Sequence, residues 1–87
     1  MKYRVTWSRK AEKHFRHLDK PARERVSAAV DDLAVNPRPP TAESVVSMPG
    51  VLRVRNGDYR VLYAVDDDLG TVWIEDVRHR SKAYGSH

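Results

Sequence analysis

Three arginines cluster in the segment LRVRNGDYRVLY, residues 52–63. Arg53 and Arg55 precede an Asn-Gly pair, and Arg60 follows it. A guanidinium stays protonated at physiological pH and binds a phosphate through two parallel hydrogen bonds. These side chains can therefore hold negative charge, but they are poor carriers of protons. The chemistry that they predict is recognition of a polyanion.

Proton transfer requires other side chains. Cleavage of RNA without a metal needs a base for the 2′-hydroxyl proton, cations for the charge on the phosphorane, and an acid for the leaving 5′-oxygen. The segment RHRSKAYGSH at residues 78–87 offers His79, the residue type best suited to proton transfer near neutral pH, and Tyr84, which can stack on a base or relay a proton. Arg78 and Arg80 add two cations. Aromatic residues among cations also fit a binding surface without catalysis, and a histidine beside arginines is often an ordinary surface residue.

A β-hairpin is predicted to position the three arginines, since alternating runs flank the Asn-Gly pair. With Asn56 and Gly57 at the centre of a type I′ turn, Arg53 lies opposite Arg60, and Arg55 lies opposite Asp58. The arginines then share one face, and the other face carries the apolar set Leu52, Val54, Tyr59, Val61 and Tyr63. Because like charges across a sheet are destabilising, the pattern indicates a ligand on this face, although ordinary solvated arginines are the alternative.

The remaining pattern predicts an α+β fold, with a helical hairpin packed on one face of a small antiparallel sheet. Polar and apolar residues alternate at residues 3–7, which predicts a strand. The tail after residue 77 begins beside the sheet, so this tail can reach the arginines. Two amphipathic helices follow at residues 9–18 and from Asp19 to Asn36-Pro37, with Ser8 as the first N-cap. Residues 37–50 read as a surface connection with either a turn of helix or a strand fragment around Val45, and residues 71–77 as a further strand. The three aspartates at 66–68 are predicted to form a turn rather than a metal site.

Composition limits the chain to a single domain, residues 1–87, with a formal net charge of +4. The absence of cysteine excludes disulfides and thiolate chemistry. No run resembles a secretion signal or a membrane span, so we expect a cytoplasmic location without membrane contact. A basic set is expected either to be a solvated surface or to dock a larger RNA assembly; it comprises Arg9, Lys10, Lys13, Arg16 and Lys82.

The segments LDKPARERV, NPRPP, MPGVLRVRNGDYRVLYAVDDD and RHRSKAY together resemble the RelE/ParE superfamily of bacterial toxins, on its RelE side. The most specific part is Arg-x-Arg-x-Gly-Asp-Tyr-Arg-Val-x-Tyr from Arg53 to Tyr63, followed by His79-Arg80 and Tyr84. The resemblance covers residues 3–84. It implies a single RelE-like domain that acts, without metal or cofactor, as an endonuclease on mRNA in the ribosomal A site.

The resemblance also implies roles for individual residues. Arg53 and Arg55 occupy positions where relatives have lysines that serve as base and phosphate ligand. Arg60 matches an arginine that stabilises the transition state, Arg80 or Arg78 matches one implicated in leaving-group protonation, and Tyr84 matches a tyrosine that stacks on the nucleotide. The implied partners are mRNA, ribosomal RNA and a RelB-like antitoxin, in a complex that we expect to be a heterotetramer.

Two other functions fit the same resemblance. The chain could act as a ParE-like inhibitor that binds DNA gyrase without cutting RNA. It could also be a non-toxic protein that binds nucleic acid. A gyrase inhibitor would induce the DNA damage response, whereas an mRNA endonuclease would stop translation first. A non-toxic protein that binds nucleic acid would leave growth unaffected.

Overall fold

The computed structural model describes residues 2–82 as two helices and a five-stranded sheet, which confirms the predicted α+β fold. The order across the sheet is β1-β5-β4-β3-β2. Strand β1 runs parallel to β5, whereas every other neighbouring pair is antiparallel. The sheet is therefore mixed and not purely antiparallel as predicted, because the N-terminal strand joins it beside the last strand. The elements are β1 Arg4–Trp7, α1 Arg9–Arg16, α2 Lys20–Val35, β2 Glu43–Ser44, β3 Leu52–Asn56, β4 Tyr59–Asp66 and β5 Thr71–His79, with a short 3-10 helix at Arg80–Lys82.

Side-chain caps begin both helices, as the sequence predicts. The Ser8 hydroxyl accepts a hydrogen bond from the backbone N–H of Ala11, and the Asp19 carboxylate accepts one from Ala22, each at 3.0 Å. Both caps satisfy a backbone donor that a helix leaves unpaired in its first turn. Helix α2 ends before Asn36, as predicted, while α1 ends at Arg16, two residues earlier than expected. None of the helices within residues 2–82 is long and apolar enough to span a membrane.

Helix α2 covers one face of the sheet. Its buried residues Val26, Val30 and Leu33 belong to the same apolar cluster as Val54, Val61, Tyr63, Val72, Ile74 and Val77 of the strands. The Tyr63 hydroxyl donates to the Pro37 carbonyl at 2.7 Å, and burial raises the pKa of Tyr63 to about 12. Burial of each aliphatic side chain in this cluster stabilises the fold by about 1.5–3 kcal/mol, so the cluster holds helix α2 against the sheet. We call the opposite face of the sheet, which carries Arg55, Arg60 and Arg78, the outer face.

The hairpin has a different turn from the one predicted. Asn56 pairs with Tyr59 and Arg55 pairs with Arg60, so Gly57 and Asp58 are the two loop residues. Gly57 has a φ of +62°, whereas no non-glycine residue within residues 2–82 has a positive φ. A type I′ turn needs two positive values, while type II′ needs one at its first position, where glycine stands here. The predicted pairing of Arg53 with Arg60 is therefore wrong by two residues, which leaves each side chain on its predicted face.

Helix α1 follows β1 directly and runs along the second half of β5. The Ser8 hydroxyl donates to the carbonyl of Glu75 at 2.8 Å, and the backbone N–H of Ser8 donates to the carbonyl of Ile74 at 2.9 Å. The pairing of β4 with β5 shifts at this point, because Leu62 faces Asp76 while Tyr63 faces Ile74. The extra residue is a β-bulge. It sets the face on which the C-terminal half of β5 presents its side chains.

Candidate nucleic-acid interface

Three arginines form one row across the outer face. Arg60 of β4 lies directly opposite Arg55 of β3 on one side and Arg78 of β5 on the other. We call these three residues the arginine row. Neighbouring strands are about 4.8 Å apart, so the three Cα atoms lie within about 10 Å of one another. The structure thus brings together two of the three predicted hairpin arginines and adds Arg78 from the C-terminal segment.

The adjacent row carries carboxylates. Across the sheet it contains Glu43, Arg53, Leu62 and Asp76, which we call the paired row. Arg53 donates from Nε and Nη2 to Oε1 of Glu43, at 3.0 and 2.8 Å. This hydrogen bond lowers the pKa of Glu43, and the positive charges of Arg53, Arg55 and Arg60 lower it further. Arg53 is therefore on the predicted face, but a carboxylate already neutralises it.

Asp76 is a functional candidate that the sequence analysis did not single out. Its side chain is 1% exposed. Nε of Arg78 donates to Oδ2 at 2.6 Å, Nδ1 of His14 lies 2.6 Å from Oδ1, and the ammonium of Lys10 is 3.6 Å from Oδ2. Burial acts to raise the pKa of Asp76, but the hydrogen bonds from Arg78 and His14 hold it below its ordinary value. Asp76 therefore fixes one end of the arginine row to helix α1; an acid within the apolar strand TVWIEDV was the signal available in the sequence.

Arg55 and Arg60 differ from the other two arginines in their surroundings. Neither one forms an ion pair with any residue in the described part of the chain. The Nη1 atom of Arg60 is also buried, and it has no hydrogen-bond partner among residues 2–82. A buried donor without an acceptor is costly, more so when it carries charge. Arg60 as a whole is only half-buried, so a phosphate oxygen bound to the accessible part of its guanidinium would reduce the repulsion along the row.

His79 lies on the other side of the sheet. It pairs with Tyr59, whose ring centroid is 5.3 Å from that of the imidazole, and its Nδ1 accepts from the backbone N–H of Ser81 at 3.1 Å. Because strand residues alternate between faces, Arg78 joins the arginine row and His79 does not. His79 is therefore outside the arginine row, although it lines the same cavity between α1 and β5 as Arg78 does.

The remaining C-terminal candidates are dispersed. The backbone N–H of Arg80 donates to the carbonyl of Asp58 at 2.7 Å, and its exposed Nε lies 3.6 Å from that aspartate's carboxylate. Arg80 is therefore beside the hairpin turn. Lys82 is the last residue of the 3-10 helix. Tyr84 lies outside the described residues.

The basic set on α1 is mainly a solvated surface. Arg9, Lys13 and Arg16 are exposed, and Arg16 forms an i,i+4 ion pair with Glu12 at 3.5 Å. Lys10 instead points to Asp76. A role of these residues in binding a larger RNA assembly stays a prediction.

The three aspartates after β4 serve the turn. Oδ1 of Asp66 accepts from the backbone N–H of Leu69 at 3.0 Å, and Asp67 accepts from the Tyr3 hydroxyl at 2.8 Å and from Arg38 at 3.1 Å. Residues 2–82 contain no cluster of three or more side chains arranged to hold a metal ion. The turn prediction is thus confirmed for these residues.

The chain matches a known protein family. A family model described as "ParE toxin of type II toxin-antitoxin system, parDE" matches residues 5–84. A comparison with curated proteins gave no match.

Solved structures with the same fold include RelE proteins from several species. The chain is 27% identical to a chain of the RelBE2 toxin-antitoxin complex of Mycobacterium tuberculosis, covering 92% of this chain and 100% of that one with a TM-score of 0.74. It is also 27% identical to a chain of the archaeal RelE-RelB complex of Pyrococcus horikoshii, covering 95% and 100% with a TM-score of 0.75. The isolated Escherichia coli RelE toxin is 21% identical, with coverage of 94% and 88% and a TM-score of 0.79, and this likeness concerns the fold alone.

Proposed function

Because the chain belongs to the ParE toxin family of type II toxin-antitoxin systems, within the RelE/ParE superfamily, we propose that this toxin is a ribosome-dependent mRNA endonuclease. The observation that carries the proposal is the arginine row itself, in which the half-buried Arg60 lies between Arg55 and Arg78 with no acidic residue directly opposite it. Stability alone would favour an apolar residue or an acidic neighbour at that position. A phosphate oxygen is the acceptor that suits this donor best.

In the proposed reaction, the 2′-hydroxyl oxygen of a nucleotide in the ribosomal A site attacks the adjacent phosphorus. The bond from phosphorus to the 2′-oxygen forms as the bond to the 5′-oxygen breaks, which gives a 2′,3′-cyclic phosphate and a free 5′-hydroxyl. Arg60 stabilises the charge on the non-bridging oxygens, with Arg55 and Arg78 on either side. Loss of one such preorganised donor typically costs about 10²–10³ in rate.

The arginine row does not supply the proton acceptor, because a guanidinium gives up its proton far less readily than an amine. His79 and Tyr84 stay the candidates for proton transfer in this proposal. From its position on the other sheet face, His79 reaches the scissile group only when the RNA passes the end of β5. This arrangement favours an enzyme that depends on the ribosome to orient its substrate.

We also propose a protein antitoxin as the partner. The relatives from M. tuberculosis and P. horikoshii are described as complexes of RelE with RelB. Arg55 and Arg60, which form no ion pair within residues 2–82, present a positive surface that an acidic segment of an antitoxin would cover. A heterotetramer of two toxins and two antitoxins is the assembly that we expect.

Expression of the toxin without its antitoxin tests the main proposal. We expect arrested growth and mRNA cut at regular codon positions, as detected by primer extension. Intact mRNA on translating ribosomes would contradict the proposal. The matched control is Arg38→Ala, which removes an exposed arginine that pairs with Asp67 at the other end of the sheet.

A second function, inhibition of DNA gyrase, is favoured by the family model, which describes ParE toxins. It is also favoured by the separation of His79 from the arginine row. A gyrase inhibitor would induce the DNA damage response before translation stops, and its toxicity would leave mRNA intact. The order of these two events after expression distinguishes the two functions.

A further inference from the structure

A second feature of the outer face extends the arginine row. We propose that Trp73 is a base-stacking platform for the single-stranded RNA whose phosphates the arginine row binds. The inference rests on the proposed function in one respect, namely that the ligand of this face is RNA. It adds a path for that RNA and a residue that binds bases rather than phosphates.

The position of Trp73 in β5 determines its face. Its neighbours Val72 and Ile74 are fully buried in the core, while Trp73 itself is 40% exposed. Alternation along the strand therefore places the indole on the outer face, together with the arginine row. Its direct partners across the sheet are Thr6 and Ala64, and both are small. Neither of these two direct partners is bulky enough to cover the ring from the sides.

The other tryptophan shows what a structural role looks like in this fold. Trp7 lies on the core face and packs edge-to-face against Phe15, with ring centroids 5.1 Å apart. Trp73 belongs neither to the core cluster nor to the residues packed against it. Burial of apolar surface thus explains Trp7, but it does not explain an exposed indole at position 73.

The spacing between Trp73 and the arginine row fits an oligonucleotide. Ala64, which faces Trp73, is four residues from Arg60 along β4, so the separation is about 14 Å. The carboxylates of the intervening paired row are already bound, Glu43 by Arg53 and Asp76 by Arg78. Beyond Trp73 the face ends at Asp66 and the acidic turn. The RNA path therefore runs from the arginine row to Trp73 and stops there.

A nucleic acid suits this face better than a protein segment does. Guanidinium groups bind phosphates and an exposed indole stacks on any base, and these two contacts together are the usual basis of single-strand recognition. Arg60 supplies a charged donor that lacks a partner in the described chain, at the end where the phosphates would lie.

Fluorescence of a Trp7→Phe variant tests the proposal, because Trp73 is then the sole tryptophan of the chain. The probes are a short 2′-O-methyl RNA, which lacks the attacking hydroxyl, and an abasic oligonucleotide of the same length. We expect the RNA to quench Trp73 and the abasic strand to bind without quenching. Equal quenching by both probes, or none by either, would overturn the proposal. Thermal unfolding of the Trp7→Phe variant verifies that it is folded.

Affinity measurements separate this inference from the proposed function. Trp73→Ala should weaken RNA binding by between about five-fold and a hundred-fold without changing its salt dependence, whereas Trp73→Phe should retain most of the affinity. Arg60→Ala should weaken binding and reduce the salt dependence. If only Arg60→Ala has an effect, the stacking role is wrong and the proposed function stands. If RNA does not bind, or if Trp73 responds only to an antitoxin, the inference fails and the face belongs to a protein partner.

Discussion

The arginine row and the paired row lie next to each other on the outer face, but their arginines have different surroundings. In the paired row, Arg53 is held by Glu43 at 2.8 Å, and Asp76 is bound by Arg78 of β5 and lies 3.6 Å from the ammonium of Lys10 of α1. In the arginine row, Arg55 and Arg60 lie directly opposite each other and form no ion pair within the described chain. The paired row can be explained by stability. The arginine row requires another explanation.

The difference indicates that charge has been left uncompensated where a ligand binds. Like charges directly opposite in a sheet cost roughly 0.2–1 kcal/mol for each pair, and a buried unsatisfied donor costs about 1–3 kcal/mol more. These costs are a considerable fraction of the stability of a small domain. If the proposed function is correct, a bound phosphate would recover part of them, and RNA would then stabilise the folded toxin.

Removal of both uncompensated charges should have the largest effect. The double variant Arg55→Gln/Arg60→Gln loses two charge-assisted contacts, each worth about 1.5–3 kcal/mol, so we expect the affinity for single-stranded RNA to fall by at least 10²-fold. The slope of log affinity against log salt concentration should become shallower by about 0.7 for each lost phosphate contact. Arg53→Gln is the matched control and should change affinity little. A larger loss from Arg53→Gln would mean that the comparison of the two rows is wrong.

Loss of Asp76 should have the next largest effect, in this case on stability. Asp76→Ala leaves Arg78 and His14 without their shared acceptor, and we expect the free energy of unfolding to fall by about 2–3 kcal/mol. Chemical denaturation measures this change. Asp68→Ala, at an exposed position in the acidic turn, is the control and should lie within about 0.5 kcal/mol of the wild type. Equal stability of both variants would contradict the anchoring role of Asp76.

The anchoring by Asp76 also predicts a dependence on pH. The pKa of Asp76 is lower in the folded chain than its ordinary value of 3.8, so its contribution is present above that value and is lost as the pH falls below it. The melting temperature should therefore decrease below about pH 4, and Asp76→Asn should make the curve flatter. Some dependence of the melting temperature on pH should persist in Asp76→Asn, because the pKa values of Glu43 and Asp67 are lowered as well. An unchanged slope in Asp76→Asn would exclude the proposed contribution.

The smallest expected effect comes from converting the paired row into a second uncompensated row. Glu43→Gln removes an exposed ion pair, so stability should change by less than about 1 kcal/mol. With the charge of Glu43 removed, Arg53 should bind phosphate more strongly, and the slope of log affinity against log salt concentration should steepen by up to about 0.7. Glu12→Gln, which breaks the ion pair with Arg16 on α1, is the control. If Glu43→Gln weakens RNA binding, Glu43 takes part in binding and does not merely restrain Arg53.

Local patterns in the sequence predicted most of the fold. Ser8 and Asp19 fixed the starts of the helices, and the alternation around Gly57 fixed which face carries the arginines. The turn type was not fixed, since Asn-Gly and Gly-Asp are both good loop pairs and only the φ angles distinguish them. That ambiguity produced the error of two residues.

The parts of the site that escaped prediction depend on distant contacts. Strand β1 pairs in parallel with β5, and this brings α1 and His14 to Asp76, 62 positions away in the sequence. The bulge beside Tyr63 sends Arg78 to the arginine row and His79 to the other face. Neither event has a local signature, so Asp76 was overlooked and His79 was expected among the arginines.

Primer extension on programmed ribosomes tests the central claim most directly. Purified wild-type toxin, Arg60→Ala and the control Arg38→Ala are compared at equal concentration, each with its melting temperature measured. We predict codon-phased cuts by the wild type and by Arg38→Ala, and a rate about 10²–10³ lower for a folded Arg60→Ala. Cleavage by Arg60→Ala at the wild-type rate, or intact mRNA with the wild type, would contradict the claim that the arginine row holds the phosphate that is cut.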